Sequence, residues 1–186
     1  MRIVGGSLRG RRLAVPPGSD IRPTSDRARE ALFNILQHSA LMAAPLAGSA
    51  VLDLFAGTGA IACEALSRGA AQATLVEQDR VALACLRHNL GALGLEDRAT
   101  VLQTDAARLP RASRPAGFAY LDPPYRSGLA VPALRSLDEG GWLMPGALIV
   151  IELAAREDFA PPDRFTIQDE RRYGAARLVF LTPTGV

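Results

Sequence analysis

Apolar and polar positions follow two different periods along this chain, and the pattern changes near residue 50. From there, short apolar runs suited to buried strands alternate with stretches of helical period. Ala50-Val51-Leu52-Asp53-Leu54-Phe55 is the first run. Gly57-Thr58-Gly59 turns the chain into a helix reaching about Arg68, with Gly69 as its stop. Ala73-Thr74-Leu75-Val76-Glu77 is a second strand, and residues 79–93 form a helix with Leu83, Leu86, Leu90 and Leu93 on one side. Strands are expected near 99–103, 117–121 and 147–152, with a weaker helical stretch near 129–139. The runs at 164–169 and 176–182 have no helix between them and are expected to pair antiparallel. This alternation predicts an α/β fold with a doubly wound, mostly parallel seven-stranded sheet.

Before residue 50 the pattern differs. Residues 1–20 are short apolar pieces broken by Gly5-Gly6, Gly10 and Pro16-Pro17-Gly18, which suits a small hairpin or extended arm. Residues 25–38 have a helical period that places Ala28, Ala31, Leu32, Ile35 and Leu36 on one face. Thr24 or Ser25 is its expected cap, with Asp26 and Glu30 in the first turn. Residues 39–49, with Pro45 and Gly48, read as a linker. The division expected is a basic extension over 1–49 and a main domain over 50–186.

Composition adds to this picture in two places. All 21 basic residues are Arg, the side chain that forks onto phosphates and stacks on bases, although a GC-rich genome also accounts for missing Lys. The net charge is only +2, but residues 1–30 carry seven Arg against three acids, which leaves the rest of the chain at −2. A basic surplus gathered in the extension is the footprint expected for binding phosphates. Cys63 and Cys85, expected as two buried free thiols, suit a reducing compartment, and His38 and His88 lack ligand-spaced neighbours, so no metal is expected. No apolar run reaches 18 residues and the start is not an apolar leader; a cytoplasmic protein, acting as a monomer, is expected.

Three acids fall at consecutive strand ends: Asp53, Glu77 and Asp105. In doubly wound sheets ligands sit outside those carboxyl ends. A carboxylate at Glu77 suits ribose hydroxyls, and Asp105 suits an adenine amino group. Gly57-Thr58-Gly59-Ala60-Ile61-Ala62 also fits the dinucleotide fingerprint, with Glu77 twenty residues after Gly57, so NAD is a competing ligand. Asp53 tips the balance, because it has no use beside a pyrophosphate and a clear one beside the ammonium of S-adenosylmethionine.

The fourth strand runs into Asp122-Pro123-Pro124-Tyr125. Two prolines fix φ and remove two donors, leaving a stiff segment of outward carbonyls beside a carboxylate and an aromatic ring. An exocyclic amine is a weak nucleophile because its lone pair is conjugated. Accepting its two N–H bonds on Asp122 and the Pro123 carbonyl turns that lone pair toward an electrophilic methyl. Tyr125 can stack on the base, worth roughly 1–3 kcal/mol.

Asp53-Leu54-Phe55-Ala56-Gly57-Thr58-Gly59 followed by Asp122-Pro123-Pro124-Tyr125 resembles the amino-methyltransferase branch of class I S-adenosylmethionine enzymes. Arg2-Ile3-Val4-Gly5-Gly6, Arg9-Gly10-Arg11, the string Ile21 to Arg27, Arg29 to Leu36, Glu64 to Ala70 and Arg172-Tyr173-Gly174 are similar to bacterial 16S rRNA guanine-N2 methyltransferases of the RsmD type. That resemblance implies S-adenosylmethionine bound by Asp53, Phe55, Ala56, Gly57, Thr58, Gly59, Glu77 and Asp105. It implies Asp122, Pro123, Pro124 and Tyr125 as the catalytic segment, and 16S rRNA in the small subunit as partner. Arg2, Arg9, Arg11, Arg12, Arg22 and Arg27 are the expected phosphate contacts. Relatives of this chemistry often carry Asn where Asp122 stands. DNA adenine or cytosine methylation and protein-glutamine methylation use related segments and remain alternatives at this point.

Overall fold

The computed structural model describes residues 1–16, 26–38 and 40–184. Helix α1 spans Asp26–His38, and strand β1 spans Ala50–Leu54. Then come α2 (Ala60–Ser67), β2 (Gln72–Val76), α3 (Arg80–Leu93), β3 (Ala99–Leu102), β4 (Ala116–Leu121) and α4 (Ala130–Glu139). Strands β5 (Leu143–Ala154), β6 (Phe165–Tyr173) and β7 (Ala176–Pro183) close the chain. They form one sheet of seven strands in the order β3-β2-β1-β4-β5-β7-β6. Strands β1 to β5 are mutually parallel, and β7 lies antiparallel between β5 and β6. The chain reverses direction across the sheet between β1 and β4, so the crevice of this fold lies beyond the ends of those two strands.

Strand periodicity divides the core between the two faces. Val51, Phe118, Tyr120, Leu148, Val150 and Phe180 face one helical layer, while Leu52, Leu54, Leu121, Ile149, Ile151 and Leu181 face α4 and Trp142. Strands β3 and β6 are the two edges, and the run Gln168, Asp169, Glu170, Arg171 and Arg172 disfavours pairing of the β6 edge with another chain. The two late strands form the expected antiparallel pair. Strands β5 and β6 run longer than their apolar stretches: β5 begins at Leu143, paired with Ala116, and passes an irregularity before its regular pairing resumes at Leu148, while ladder bonds to β7 carry β6 through its charged residues.

The first residues form a small hairpin, with Ile3 N donating to the Arg11 carbonyl, the Ile3 carbonyl accepting from Gly10 N, and Arg2 bridged to Arg12. It sits on the end of α2, where Ser7 N donates to the Ser67 carbonyl at 2.8 Å and Leu8 N to Ser67 Oγ at 2.9 Å. Gly6 has φ +76°, and a Cβ there would stand 2.0 Å from the Ser67 carbonyl oxygen, so only glycine permits this seat. Ile3, Leu13, Leu32, Phe33 and Leu36 join the same core as α2 and α3.

The buried stripe of α1 differs from the one expected. It consists of Arg29, Leu32, Phe33 and Leu36, spaced i, i+3, i+4, i+7, whereas Ala28, Ala31 and Ile35 are only partly covered. Arg29 turns inward to meet Asp26 and Glu64. The expected caps Thr24 and Ser25 lie outside the described residues. Only Cys63 of the two thiols is buried; Cys85 is partly exposed. Burial, with the Asp53 charge behind it, pushes the Cys63 thiol up to about 12, so it is an inert packing group.

Candidate active site

A cavity of about 410 Å³ lies at the β1/β4 switch point. Its floor is the turn Phe55-Ala56-Gly57-Thr58, and its walls come from Asp53, Glu77, Thr104, Ala106, Tyr120 and Asp122. Gly59 stands behind the floor rather than on the wall. It takes φ +76° as the cap of α2, and a Cβ there would meet Leu75 Cδ2 at 3.1 Å. Phe55 also has a positive φ, +59°, an uncommon conformation for a side-chain-bearing residue and one that gathers at ligand sites. Asn89 braces the turn from behind: its Nδ2 donates to the Thr58 carbonyl at 3.0 Å and to the Ala14 carbonyl at 3.1 Å.

Two acids accept from backbone donors, one in the glycine turn and one in the helix that follows it. Asp53 Oδ2 accepts from Ala62 N at 3.0 Å, in the first turn of α2, where Gly59 has no side chain to cap with. Glu77 Oε2 accepts from Gly57 N at 2.8 Å, and its Oε1 accepts from Gln78 N and Asp79 N, each at 2.8 Å. Asp105 caps the short turn Ala106–Arg108, its Oδ1 accepting from Ala107 N at 2.9 Å, and the cavity wall there consists of its neighbours Thr104 and Ala106.

Asp122 leaves β4 beside β1, with Asp122 N donating to the Leu54 carbonyl at 3.3 Å. Asp122 and Pro124 line the cavity, Pro123 is buried, and Tyr125 is directed to the outer side. Burial first, then the nearby charges of Glu152 and Asp53, hold the Asp122 carboxyl well above the usual carboxylate range. Glu152 on β5 is a further candidate site residue, absent from the motifs of the sequence. Its Oε2 accepts from the Tyr120 hydroxyl at 2.6 Å and its Oε1 from the Tyr125 hydroxyl at 2.9 Å. It thus fixes the ring beside the Asp-Pro-Pro segment. Its one available signal is a lone acid in the apolar run Ala147 to Leu153.

Burial pushes Asp53 up to about 8, the bond from Ala62 working against that shift and Glu77 adding to it. In the unfolded chain such a carboxyl ionises near 4. Between those values unfolding releases a proton, so this group's effect on the ligand-free protein is a stability that declines as pH rises from about 4 to about 8. Asp53→Asn keeps an acceptor for Ala62 N and removes the titration. Thermal melts of the free protein should show the variant more stable than wild type at pH 8 and converging with it toward pH 4; parallel curves would sink the assignment.

The arginines of the extension divide into classes. Arg9, Arg12 and Arg27 are exposed. Arg2 is exposed and pairs with Asp26 at 3.3 Å, and Arg11 Nη2 donates to the Ala92 carbonyl at 2.7 Å. Arg22 lies outside the described residues. Arg29 is fully buried between Asp26 and Glu64, so one of the seven positive charges in residues 1–30 never reaches the surface.

A seven-stranded sheet in this order, with a glycine-turn cavity at its switch point, defines a class I methyltransferase fold. The family model described as Conserved hypothetical protein 95 matches residues 1–182. The ribosomal RNA small subunit methyltransferase D of Escherichia coli (strain K12) is 41% identical over 152 residues, covering 82% of this chain and 74% of the relative. Its namesake from Haemophilus influenzae is 35% identical over 178 residues, covering 94% and 89%. The solved structure of yhhF from Escherichia coli superposes with a TM-score of 0.82 at 36% identity, covering 98% of this chain and 97% of that one. The chain belongs to the RsmD family of ribosomal RNA small subunit methyltransferases.

Proposed function

We propose that the chain transfers the methyl group of S-adenosylmethionine to the exocyclic N2 of one guanine in 16S rRNA, in the cytoplasm and as a monomer. The substrate is the small subunit or its assembly intermediate. The observation that carries this is the juxtaposition of an acid-lined nucleoside cavity with the Asp122-Pro123-Pro124-Tyr125 segment on its rim.

The donor set favours this cofactor over NAD. A pyrophosphate needs the N–H groups of the glycine turn and of the following helix. Here Gly57 N is bonded to Glu77 and Ala62 N to Asp53. The walls carry Asp53, Glu77, Asp79 and Asp122 against one Arg29, itself paired with acids. Such a wall repels an anion and suits a ligand with a sulfonium and an ammonium. Asp53 is the partner for the ammonium, Glu77 for a ribose hydroxyl through the lone-pair site on Oε2 that its three backbone donors leave, and Asp105 for the adenine amino group. Calorimetry should give ~1:1 binding of S-adenosylmethionine and none of NAD. At pH 7 a cation drawing on a carboxyl raised to about 8 displaces its proton, so the heat of binding should depend on buffer ionisation enthalpy. NAD binding in place of S-adenosylmethionine would overturn the assignment.

When bound, the cofactor supplies an electrophilic methyl group. The chain's own residues do the rest. Ionised Asp122 and the Pro123 carbonyl accept the two N–H bonds of the target amine and aim its lone pair, and Tyr125 stacks on the base. Residues 1–49 serve as the RNA-facing extension, with Arg2, Arg9, Arg11, Arg12, Arg22 and Arg27 meeting phosphates, and residues 50–186 as the transfer domain. Labelled S-adenosylmethionine mixed with separated small subunits, free rRNA, DNA and protein tests this directly. Label should appear on RNA of the small subunit and be released by digestion as N2-methylguanine. Label on DNA, protein or another base would replace this substrate.

A further inference from the structure

A second cavity, of about 500 Å³, lies on the other side of the Asp-Pro-Pro-Tyr segment. Pro124 lines the first cavity and Tyr125 the second, so the two meet at adjacent residues. Arg126 and Arg156 stand at the second, facing the β6–β7 turn at Gly174. Neither guanidinium pairs with an acid among the described residues. By contrast, Arg171 and Arg177 on β6 and β7 form ion pairs with Asp169 at 2.9 Å and Glu170 at 3.6 Å.

The placement of these two arginines is built. Glu157 Oε2 accepts from Arg126 N at 2.9 Å and from Ala154 N at 3.2 Å, splicing the turn after β4 to the loop after β5. The Glu157 carbonyl in turn accepts from Arg177 Nη2 at 2.6 Å. Arg126 is held at φ +59°, a conformation that costs free energy for any residue with a Cβ and persists only where neighbours enforce it. Ser127 N, bonded to the Pro124 carbonyl at 3.1 Å, closes the same turn. The carboxylate of Glu157 is already bonded to two backbone donors, and Glu152 is occupied by the two tyrosines.

We infer that this second cavity is a phosphodiester site, in which Arg126 and Arg156 grip the RNA backbone beside the nucleotide whose base lies on Tyr125. The chemistry is that of a nucleotide: an aromatic plane for a base, two unpaired guanidinium forks for a phosphate, and a wall at Gly174 bare of side chain where a backbone can approach. The volume falls within the range of small-ligand sites. The site lies at the carboxyl end of the sheet and is separate from the arginines of the hairpin. It rests on the proposed RNA methylation and extends it by naming a second grip on the RNA.

The test uses the full chain with Arg126→Ala and Arg156→Ala combined. Binding of a fluorescent 16S rRNA fragment is measured across a salt series, methyl transfer on small subunits is measured for kcat and KM, and S-adenosylmethionine affinity is measured by calorimetry. RNA binding should weaken roughly tenfold or more, as for loss of charge-assisted bonds. The slope of log K against log salt should shrink by about 1.5, as for two lost phosphate contacts. KM for RNA should rise, while cofactor affinity stays at the wild-type value. Arg111→Ala with Arg114→Ala, exposed residues before β4 at the opposite end of the sheet, serves as the control and should change little. An unchanged RNA affinity and salt slope, or an equal loss in the control pair, overturns the site while leaving RNA methylation standing. If the wild type methylates DNA or protein instead, the function fails separately, and the RNA salt series still decides the site. A wild-type chain that binds no RNA overturns both.

Discussion

Asp122→Ala is expected to lower the single-turnover rate of methyl transfer by roughly 10²–10³, the usual cost of removing one preorganised contact to the reacting group. The carboxylate accepts one N–H of the amine, and without it the lone pair is neither aimed nor freed from the ring. Affinity for S-adenosylmethionine should change far less, because the glycine turn, Asp53 and Glu77 remain in place. Asp122→Asn should be milder, since its amide oxygen still accepts. The pH dependence separates the two carboxyl states. Burial, then Glu152 and Asp53, raise the Asp122 carboxyl well above its ordinary range. The ionised carboxylate accepts that N–H as a charge-assisted bond, stronger than the neutral acid can make, so wild-type transfer should climb with pH through that raised value. A cation in the cavity lowers the value, so the limb should sit at lower pH for kcat than for kcat/KM. Asp122→Asn, neutral at every pH, should lack the limb at saturating cofactor. An Ala variant that transfers methyl at the wild-type rate would show Asp122 to be only a turn residue ending β4.

The strands were legible because a parallel sheet buried on both faces demands apolar runs, and those runs stand out between Gly and Pro punctuation. Asp53, Gly57, Glu77 and Asp122 were legible for a related reason: a polar residue at the end of such a run has to face the crevice. What could not be read was which of those groups already have backbone partners. Glu77 spends three lone-pair sites on Gly57, Gln78 and Asp79, and this depends on how closely the end of β2 approaches the turn after β1. Glu152 was invisible because a lone acid inside an apolar strand makes sense only once Tyr120 and Tyr125 are seen to converge on it from β4 and the loop beyond. The inward face of α1 differs from the periodic one for the converse reason. Periodicity counts Arg as outward, and Arg29 is carried inward by acids contributed in part from α2.

That buried arginine should carry the largest stability effect in the molecule. Arg29 is fully buried; its Nη2 donates to Asp26 Oδ1 at 2.8 Å and to the Arg2 carbonyl, and its Nε lies 3.8 Å from Glu64 Oε2. Glu64, also fully buried, accepts from Val4 N at 2.8 Å and from Arg68 Nε at 2.7 Å, and Arg68 in turn lies over the Phe33 ring. One carboxylate thus ties the hairpin, α1 and α2 together. Removing one member takes a partner from a buried charge, leaving Arg29 with Asp26 alone or Glu64 with Arg68 alone, and breaking such a buried network typically costs about 3–5 kcal/mol. Arg29→Ala and Glu64→Ala should each lower the free energy of unfolding by that amount in urea titrations. The double variant Arg29→Met, Glu64→Leu should cost less than the two single changes added, because no unpaired charge remains between them. Full recovery is not expected, since Val4 N and Arg68 still lose their acceptor. The hairpin should be the first part to loosen, with the amides of Ile3 and Val4 exchanging hydrogen faster in Glu64→Ala than those of β4. Single variants that cost under about 1 kcal/mol, or a double variant whose cost is the sum of the two, would show that these charges pack beside one another without acting as a unit.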